Sequence, residues 1–192
     1  APANQVVRYH TVTFASYFFN RSPYLGVPPQ EKDALWEALY DFGITGLSES
    51  EASHLLNETL PAPNDPSKYV VQLEVFHLLH CVNMLRKAIY PDEYPDGWTY
   101  HDNGTVNHNT VMGLHWDHCI DALRQSIMCN ADITPVTFKH GEDNDYNIFP
   151  KLSATHTCRD FDMVVDWAKE RQIKGWLDDD EAKQVTHGVG SM

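Results

Sequence analysis

His77-Leu-Leu-His-Cys-Val-Asn-Met-Leu-Arg86 returns later in the chain as His115-Trp-Asp-His-Cys-Ile-Asp-Ala-Leu-Arg124. The shared pattern is H-x-x-H-C-[VI]-[ND]-x-L-R. At about 100° per residue, the two His and the Cys of each copy fall within roughly a third of a helix's circumference. Each copy therefore points two imidazoles and one sulfur the same way. Two such helices packed face to face gather His77, His80, His115 and His118, and four imidazoles in one place are a metal site. The fold expected from this pair is mainly α, a helical domain built around the two motif helices. A small β element near the N-terminus and disulfide staples complete it.

The flanking sequence extends that reading. Val6 to Phe19 is β-branched and aromatic and reads as a strand or two. Ser22-Pro-Tyr-Leu-Gly-Val-Pro-Pro29 is a rigid turn. A helix follows from about Gln30 to Phe42, with Leu35, Leu39 and Phe42 on its apolar face and Gly43 as terminator. Ser48-x-x-Glu51 is a capping box opening a short helix to about Asn57. Pro61, Pro63 and Pro66 mark a loop. The first motif helix is expected from Tyr69 to Tyr90, nearly continuously apolar in its first half and stopped by Pro91. The second is expected from Asn109 to Cys129. Between them lies a polar loop bearing Tyr94, Trp98 and Tyr100, which either covers a cleft or packs on the core. Thr157-x-x-Asp160 reads as a second capping box, opening a helix to about Gln172. One domain is expected over residues 1–192, its core about 9–174 and its tail 178–192 mobile.

Composition bounds the function. The 192 residues suit one domain with a real core. There is no run of about twenty apolar residues. The start reads as a mature or trimmed terminus, which leaves a native signal or anchor open. A net charge of −13 argues against nucleic acid or an anionic membrane as partner. Scattered histidines such as His54, His140 and His187 read as surface residues. An even number of cysteines (Cys81, Cys119, Cys129 and Cys158) and two glycosylation sequons at Asn57 and Asn103 favour a secretory, oxidising compartment. A third sequon at Asn20 is spoiled by Pro23. In that compartment disulfides are favoured over thiolate ligands. Cys119 and Cys129 lie roughly 15 Å apart along one helix and cannot pair. That leaves Cys81–Cys119 with Cys129–Cys158, or Cys81–Cys129 with Cys119–Cys158. The pseudo-symmetry of the repeat favours the first.

Imidazole suits copper, zinc, iron and nickel. The zinc-protease pattern needs His-Glu-x-x-His, and here Leu78-Leu79 and Trp116-Asp117 intervene with the histidines at i, i+3. A facial triad for non-haem iron needs a carboxylate, and Asp117 lies about 200° from His115 around its helix. An all-imidazole site with oxidised cysteines leaves copper as the best fit and zinc second. His156 is the best further ligand, ahead of His108 and His101. Arg86 and Arg124 sit about 180° from the first His of each copy and read as structural ion-pair residues.

The pattern resembles the UstYa-like fungal oxidases, named from ustiloxin biosynthesis. Ser22-Pro-Tyr-Leu-Gly-Val-Pro-Pro-Gln-Glu-Lys-Asp33 with Trp36 is similar to the family's N-terminal block. Leu123 to Pro135, and His156-Thr-Cys-Arg-Asp-Phe161 with Trp167, resemble its later blocks, so the likeness runs from about Tyr9 to Lys174. It implies a tailoring enzyme of fungal secondary metabolism that performs oxidative cyclisation, hydroxylation, desaturation or chlorination. It also implies copper at His77, His80, His115 and His118, and an N-terminal membrane anchor with the domain in the secretory lumen. The expected protein is a copper oxidoreductase holding one or two ions, with dioxygen as co-substrate and a peptide or other natural product as substrate. A homo- or hetero-oligomer with a related oxidase is left open. The alternatives are a zinc-dependent hydrolase or lyase, and a secreted binding module with a structural zinc.

Overall fold

The first motif helix does not begin where its apolar run begins. Tyr69-Val70-Val71-Gln72, with an aromatic and two β-branched residues, continues a strand, β4 (Asp65–Gln72), and the chain turns at Leu73 before helix α3 (Glu74–Ala88) starts. β4 is the middle strand of an antiparallel three-stranded sheet, between β2 (Ile44–Leu47) and β3 (Pro61–Ala62). The computed structural model describes residues 1–14, 22–26, 30–140, 148–151 and 153–175; the expected tail 178–192 lies outside them. Among the described residues there are five α-helices and seven strands in three small sheets. The class is mixed α/β, which corrects the mainly α expectation.

The N-terminal β element is β1 (Tyr9–Thr13), paired antiparallel with β7 (Thr155–Arg159) so that His10 lies opposite Cys158. Phe14 is described but lies beyond the strand, and residues 15–19 of the expected strand lie outside the described residues. β5 (Thr137–His140) and β6 (Ile148–Lys151) form a ribbon exposed along both strands. Helix α1 (Gln30–Glu37) is shorter than expected and continues as turns to Gly43. α2 (Glu49–Ala52) opens on the expected capping box, with Ser48 and Glu51 exchanging both bonds. The second expected box does not form, because Thr157 belongs to β7. Asp160 itself caps α5 (Phe161–Glu170), its carboxylate accepting from the Met163 amide.

Phe76 is fully buried near the start of α3 and meets Phe42 edge-on at 5.1 Å and Phe161 at 6.2 Å. Ala3, Leu47, Trp167 and Ala168 complete this core, with Tyr69, Val71 and Leu79 packed against it. It therefore ties the three-stranded sheet and α5 to the helix that carries the first motif. α4 (Val111–Asn130) carries the second and packs on α3. Its first turn is capped by Thr110, whose hydroxyl accepts from the Gly113 amide. Gly113 admits the preceding loop: a Cβ there would stand 2.3 Å from the His108 carbonyl oxygen. α4 ends at Ala131 in the left-handed region, φ 39°. Among the described residues no helix is long and apolar enough to cross a membrane.

Candidate metal centre

The four motif histidines meet across the α3–α4 contact in two pairs. His77 faces His118, with ring centroids 5.3 Å apart, and His80 faces His115 at 5.7 Å. Exchanging the two copies carries His77 onto His115 and His80 onto His118. The two pairs are thus images of each other about a pseudo-two-fold axis. Each pair joins the first His of one copy to the second His of the other. Cys81 and Cys119 occupy equivalent places in the two copies, are fully buried and hydrogen-bond to each other, which puts them at the axis.

Glu74, one turn before His77, accepts from its Nδ1 at 3.3 Å. That bond assigns the proton to Nδ1 and leaves the Nε2 lone pair facing His118 and the Cys81 sulfur, 3.6 Å away. The two facing Nε2 atoms are 3.2 Å apart. This is hydrogen-bond distance. It is also the separation, about 3.3 Å, of two nitrogens on one tetrahedral ion with metal–nitrogen bonds near 2.0 Å. His80 is braced from behind: Tyr40 meets it edge-on at 5.4 Å and is held by Asn83, whose amide donates to the Tyr40 hydroxyl at 2.8 Å. Asn83 in turn accepts from Arg86 Nε.

Burial, reinforced by the neighbouring His115 and His77, lowers the His80 pKa to about 4. Burial, then His118 and His77, lowers His115 as well. Both rings are neutral at pH 7 with nitrogen lone pairs available, the protonation state a metal ligand needs. Burial raises Cys81 and Cys119 and keeps both as thiols. The donor set suits a late first-row ion, and the His77 and His118 nitrogens stand at the span of one. As the side chains stand, however, no group of three or more His, Cys, Asp or Glu among the described residues is arranged to hold an ion. The structure supplies two two-histidine clamps rather than one four-fold cage.

The other candidates lie elsewhere. His156 on β7 bonds through Nδ1 to Asp132 at 2.6 Å and stacks on Phe14 at 3.7 Å. Asp132 lies beyond the C-terminal end of α4, about 18 Å of helix past His118. His108 packs edge-on to Trp98, which lies against Trp116. Trp98 and Tyr94 pack inward, Trp98 on α4 and Tyr94 around Arg86. The four cysteines expected in two disulfides are all thiols here. Cys129 is exposed in the last turn of α4, and Cys158 is half-buried on β7. Arg86 and Arg124 do turn away from the imidazoles into ion pairs. Asn57 and Asn103 are both exposed. The sequence reading missed Glu74, although its i−3 spacing from His77 puts it in phase. It also missed Tyr40, which comes from a distant segment and carries no local signal.

Beside His77 and His118 opens a groove of about 960 Å³. It runs along α4 from His118 to Asn130, between the N-terminal segment, the start of α3 and the β7–α5 junction.

Crossed histidine pairs on two copies of one motif are the distinguishing geometry of this site. The chain belongs to the UstYa family: the model of that family, described as mycotoxin biosynthesis protein UstYa, matches residues 1–171. It is 33% identical over 172 residues to the UstYa family oxidase phomYc of Diaporthe leptostromiformis, covering 85% of this chain and 64% of that protein. It is 42% identical over 108 residues to the UstYa family oxidase VicYb of Bipolaris victoriae (strain FI3), covering 56% and 86%. It is 32% identical over 145 residues to chlorinase cctP2 of Talaromyces islandicus, covering 74% and 41%. The chain thus spans less than two thirds of phomYc. No solved structure matches it.

Proposed function

We propose that this chain is the domain of a copper-dependent oxidase that tailors a fungal secondary metabolite. Relatives described as oxidases and a chlorinase support the oxidative class. The observation that carries the metal reading is the pair of crossed clamps, with His80 and His115 held neutral. Two crossed pairs, rather than one four-fold cage, favour two ions over one. His77 and His118 would hold one, and His80 and His115 the other. Copper, when bound, supplies one-electron redox chemistry toward dioxygen, which zinc does not.

The remaining residues set up that chemistry. Glu74 orients His77, while Tyr40 and Asn83 brace His80. Cys81 and Cys119 keep the axis dry between the clamps. The groove beside His77 and His118 gives a substrate access to that clamp. A peptide natural product carrying an aromatic side chain is the favoured substrate, oxidised at a C–H or phenol O–H. The compartment is the secretory lumen, with the full-length protein anchored in the membrane. The cysteines there form Cys81–Cys119 and Cys129–Cys158, and Asn57 and Asn103 carry glycans.

The test is metal content and turnover together. Protein purified without chelators should bind about two coppers, and His→Ala at any of the four positions should lower occupancy and abolish turnover of the biosynthetic precursor. Product should require copper, a reductant and air. Wild-type occupancy in all four variants would overturn the ligand assignment. Undiminished product under anaerobiosis, or with zinc, would replace the oxidase by a zinc hydrolase or lyase.

A further inference from the structure

The pseudo-two-fold that makes the two histidine pairs alike in position leaves them unlike in charge. Glu74 stands three residues before His77, and Asp121 three residues after His118. Each is one helical turn from its histidine, so both carboxylates are in phase with the His77–His118 pair. Exchanging the copies carries these two places onto Met112, three before His115, and Asn83, three after His80. Both of those are neutral. The two carboxylates also differ from each other. Asp121 accepts from Arg124 Nε at 2.7 Å and from Gln125 at 2.6 Å, so Arg124 offsets much of its charge. Glu74 instead accepts from His77 Nδ1 at 3.3 Å. At the other pair, Asn83 is buried and its amide is engaged by Tyr40 and Arg86. The cation Lys87 is felt at His80, where it disfavours further positive charge, although Glu37 pairs with it at 3.2 Å.

We propose that Glu74 sets the order in which the two pairs take metal: His77–His118 fills first and tightly, His80–His115 second and more weakly. The inference rests on the ligand assignment made above and not on the reaction. Glu74 acts in two ways. Its hydrogen bond keeps the His77 proton on Nδ1 and turns Nε2 toward His118, so the ring needs no reorientation when an ion arrives. Its negative charge, one helical turn away, compensates part of the charge that the ion brings to a partly buried place. Two cations held between the same two helices also repel, which widens the gap between the first step and the second. The consequence is a stable half-loaded protein, with its ion beside the groove and the His80–His115 pair open. Glu74 is a positioning residue that works through His77.

The test is calorimetric titration of the full chain with zinc after chelator treatment. Zinc does not oxidise thiols, and turnover plays no part. Two backgrounds isolate the pairs: His115→Ala leaves His77–His118 intact, and His118→Ala leaves His80–His115. Wild type should bind two ions in two steps, the first with the affinity of the His115→Ala protein. Glu74→Gln keeps the length and removes the charge. It should weaken binding about tenfold in the His115→Ala background, the low end of what an outer partner contributes, and leave the His118→Ala background unchanged. A merely structural role would not be confined to one pair. Met112→Glu supplies the missing carboxylate before His115, in the first turn of α4 where the helix dipole favours it. It should tighten binding in the His118→Ala background by a similar factor. Two equal steps in wild type overturn the proposal. So does Glu74→Gln acting on both backgrounds alike or on neither, or Met112→Glu without effect. Those outcomes leave the ligand assignment standing, whereas wild type that binds neither zinc nor copper overturns that assignment and this proposal with it.

Discussion

Arg86 and Arg124 hold the same place in the two motif copies, and the structure predicts very different consequences for removing them. Arg86 is 8% exposed. Its guanidinium ion-pairs with Asp33, donates to Asn83 at 2.9 Å and to the Tyr94 hydroxyl at 3.3 Å, and lies over the Trp36 and Tyr94 rings. Arg86→Met keeps the length and strands Asp33 and the Asn83 oxygen. Breaking a buried pair costs about 3–5 kcal/mol. Asp33 is 26% exposed and recovers some water, so the expected loss is about 3 kcal/mol. At this chain length that lowers Tm by about 6–12 °C. Arg124 is 55% exposed and pairs with Asp121 on its own helix. Arg124→Ala should cost under about 0.5 kcal/mol. Urea unfolding with calorimetry on both variants, and on Asp33→Asn alone and combined with Arg86→Met, measures the coupling. A loss below about 0.5 kcal/mol for Arg86→Met, or equal losses for the two arginines, would refute the reasoning.

Gly113→Ala should destabilise by about 1–3 kcal/mol, because its Cβ meets the His108 backbone rather than a movable side chain; a Tm equal to wild type would mean that the loop yields freely. Protein secreted through an oxidising compartment should yield a Cys81–Cys119 peptide in non-reducing mapping and lose roughly 2–4 kcal/mol on Cys81→Ser with Cys119→Ser. Four free thiols, or a Cys119–Cys158 peptide, would contradict that pairing. His80 has a folded pKa of about 4 against an ordinary 6.5. Its contribution to stability is therefore complete above pH 6.5 and is lost as pH falls toward 4, with no further loss from this group below. The ideal loss is about 3.4 kcal/mol, and screening at a half-buried ring trims it to about 2 kcal/mol. Denaturation with chelator from pH 7 to 4 should show this slope in wild type and a shallower one in His80→Asn; identical slopes would argue against a buried neutral ring.

Helices with caps and turn-length apolar spacing were legible, and so was β1 with its β-branched and aromatic run, but the other strands were not. α4 was expected from Asn109 to Cys129 and runs from Val111 to Asn130. The Ser48–Glu51 box is a local arrangement of four residues and formed as read. Tyr69 to Gln72 is too short a run for its period to be told, and its strand partner, Ile44–Leu47, is remote in sequence. β7 fails for the same reason: Thr155-His-Thr-Cys-Arg alternates, but its partner is β1 at the other end of the chain. β5 and β6 cover no core, so no apolar alternation marked them. Those non-local pairings turn a mainly α expectation into a mixed fold.

The site shows a finer limit. The repeat gave the facing surfaces but not the pairing, although symmetry contains it. Under a two-fold exchange of the copies, only a residue on the axis can meet its own equivalent. Every other contact must come as two crossed contacts. His77 with His118 therefore requires His115 with His80, and one self-pair fits between them, Cys81 with Cys119. The symmetry holds only at this contact. α1 and the aromatic loop cover the outer side of α3 and bury Arg86, whereas the Arg124 face of α4 stays exposed, as do Ile120 and Ile127. Glu74 also has no counterpart, because the equivalent position in the second copy is Met112. His115 thus lacks the carboxylate that fixes the tautomer of His77. If both clamps take a metal, the His77–His118 clamp is the better oriented of the two, and it is also the one that opens on the groove. Under the proposed oxidase function, substrate would then meet the His77–His118 pair, with the more buried His80–His115 pair beside it.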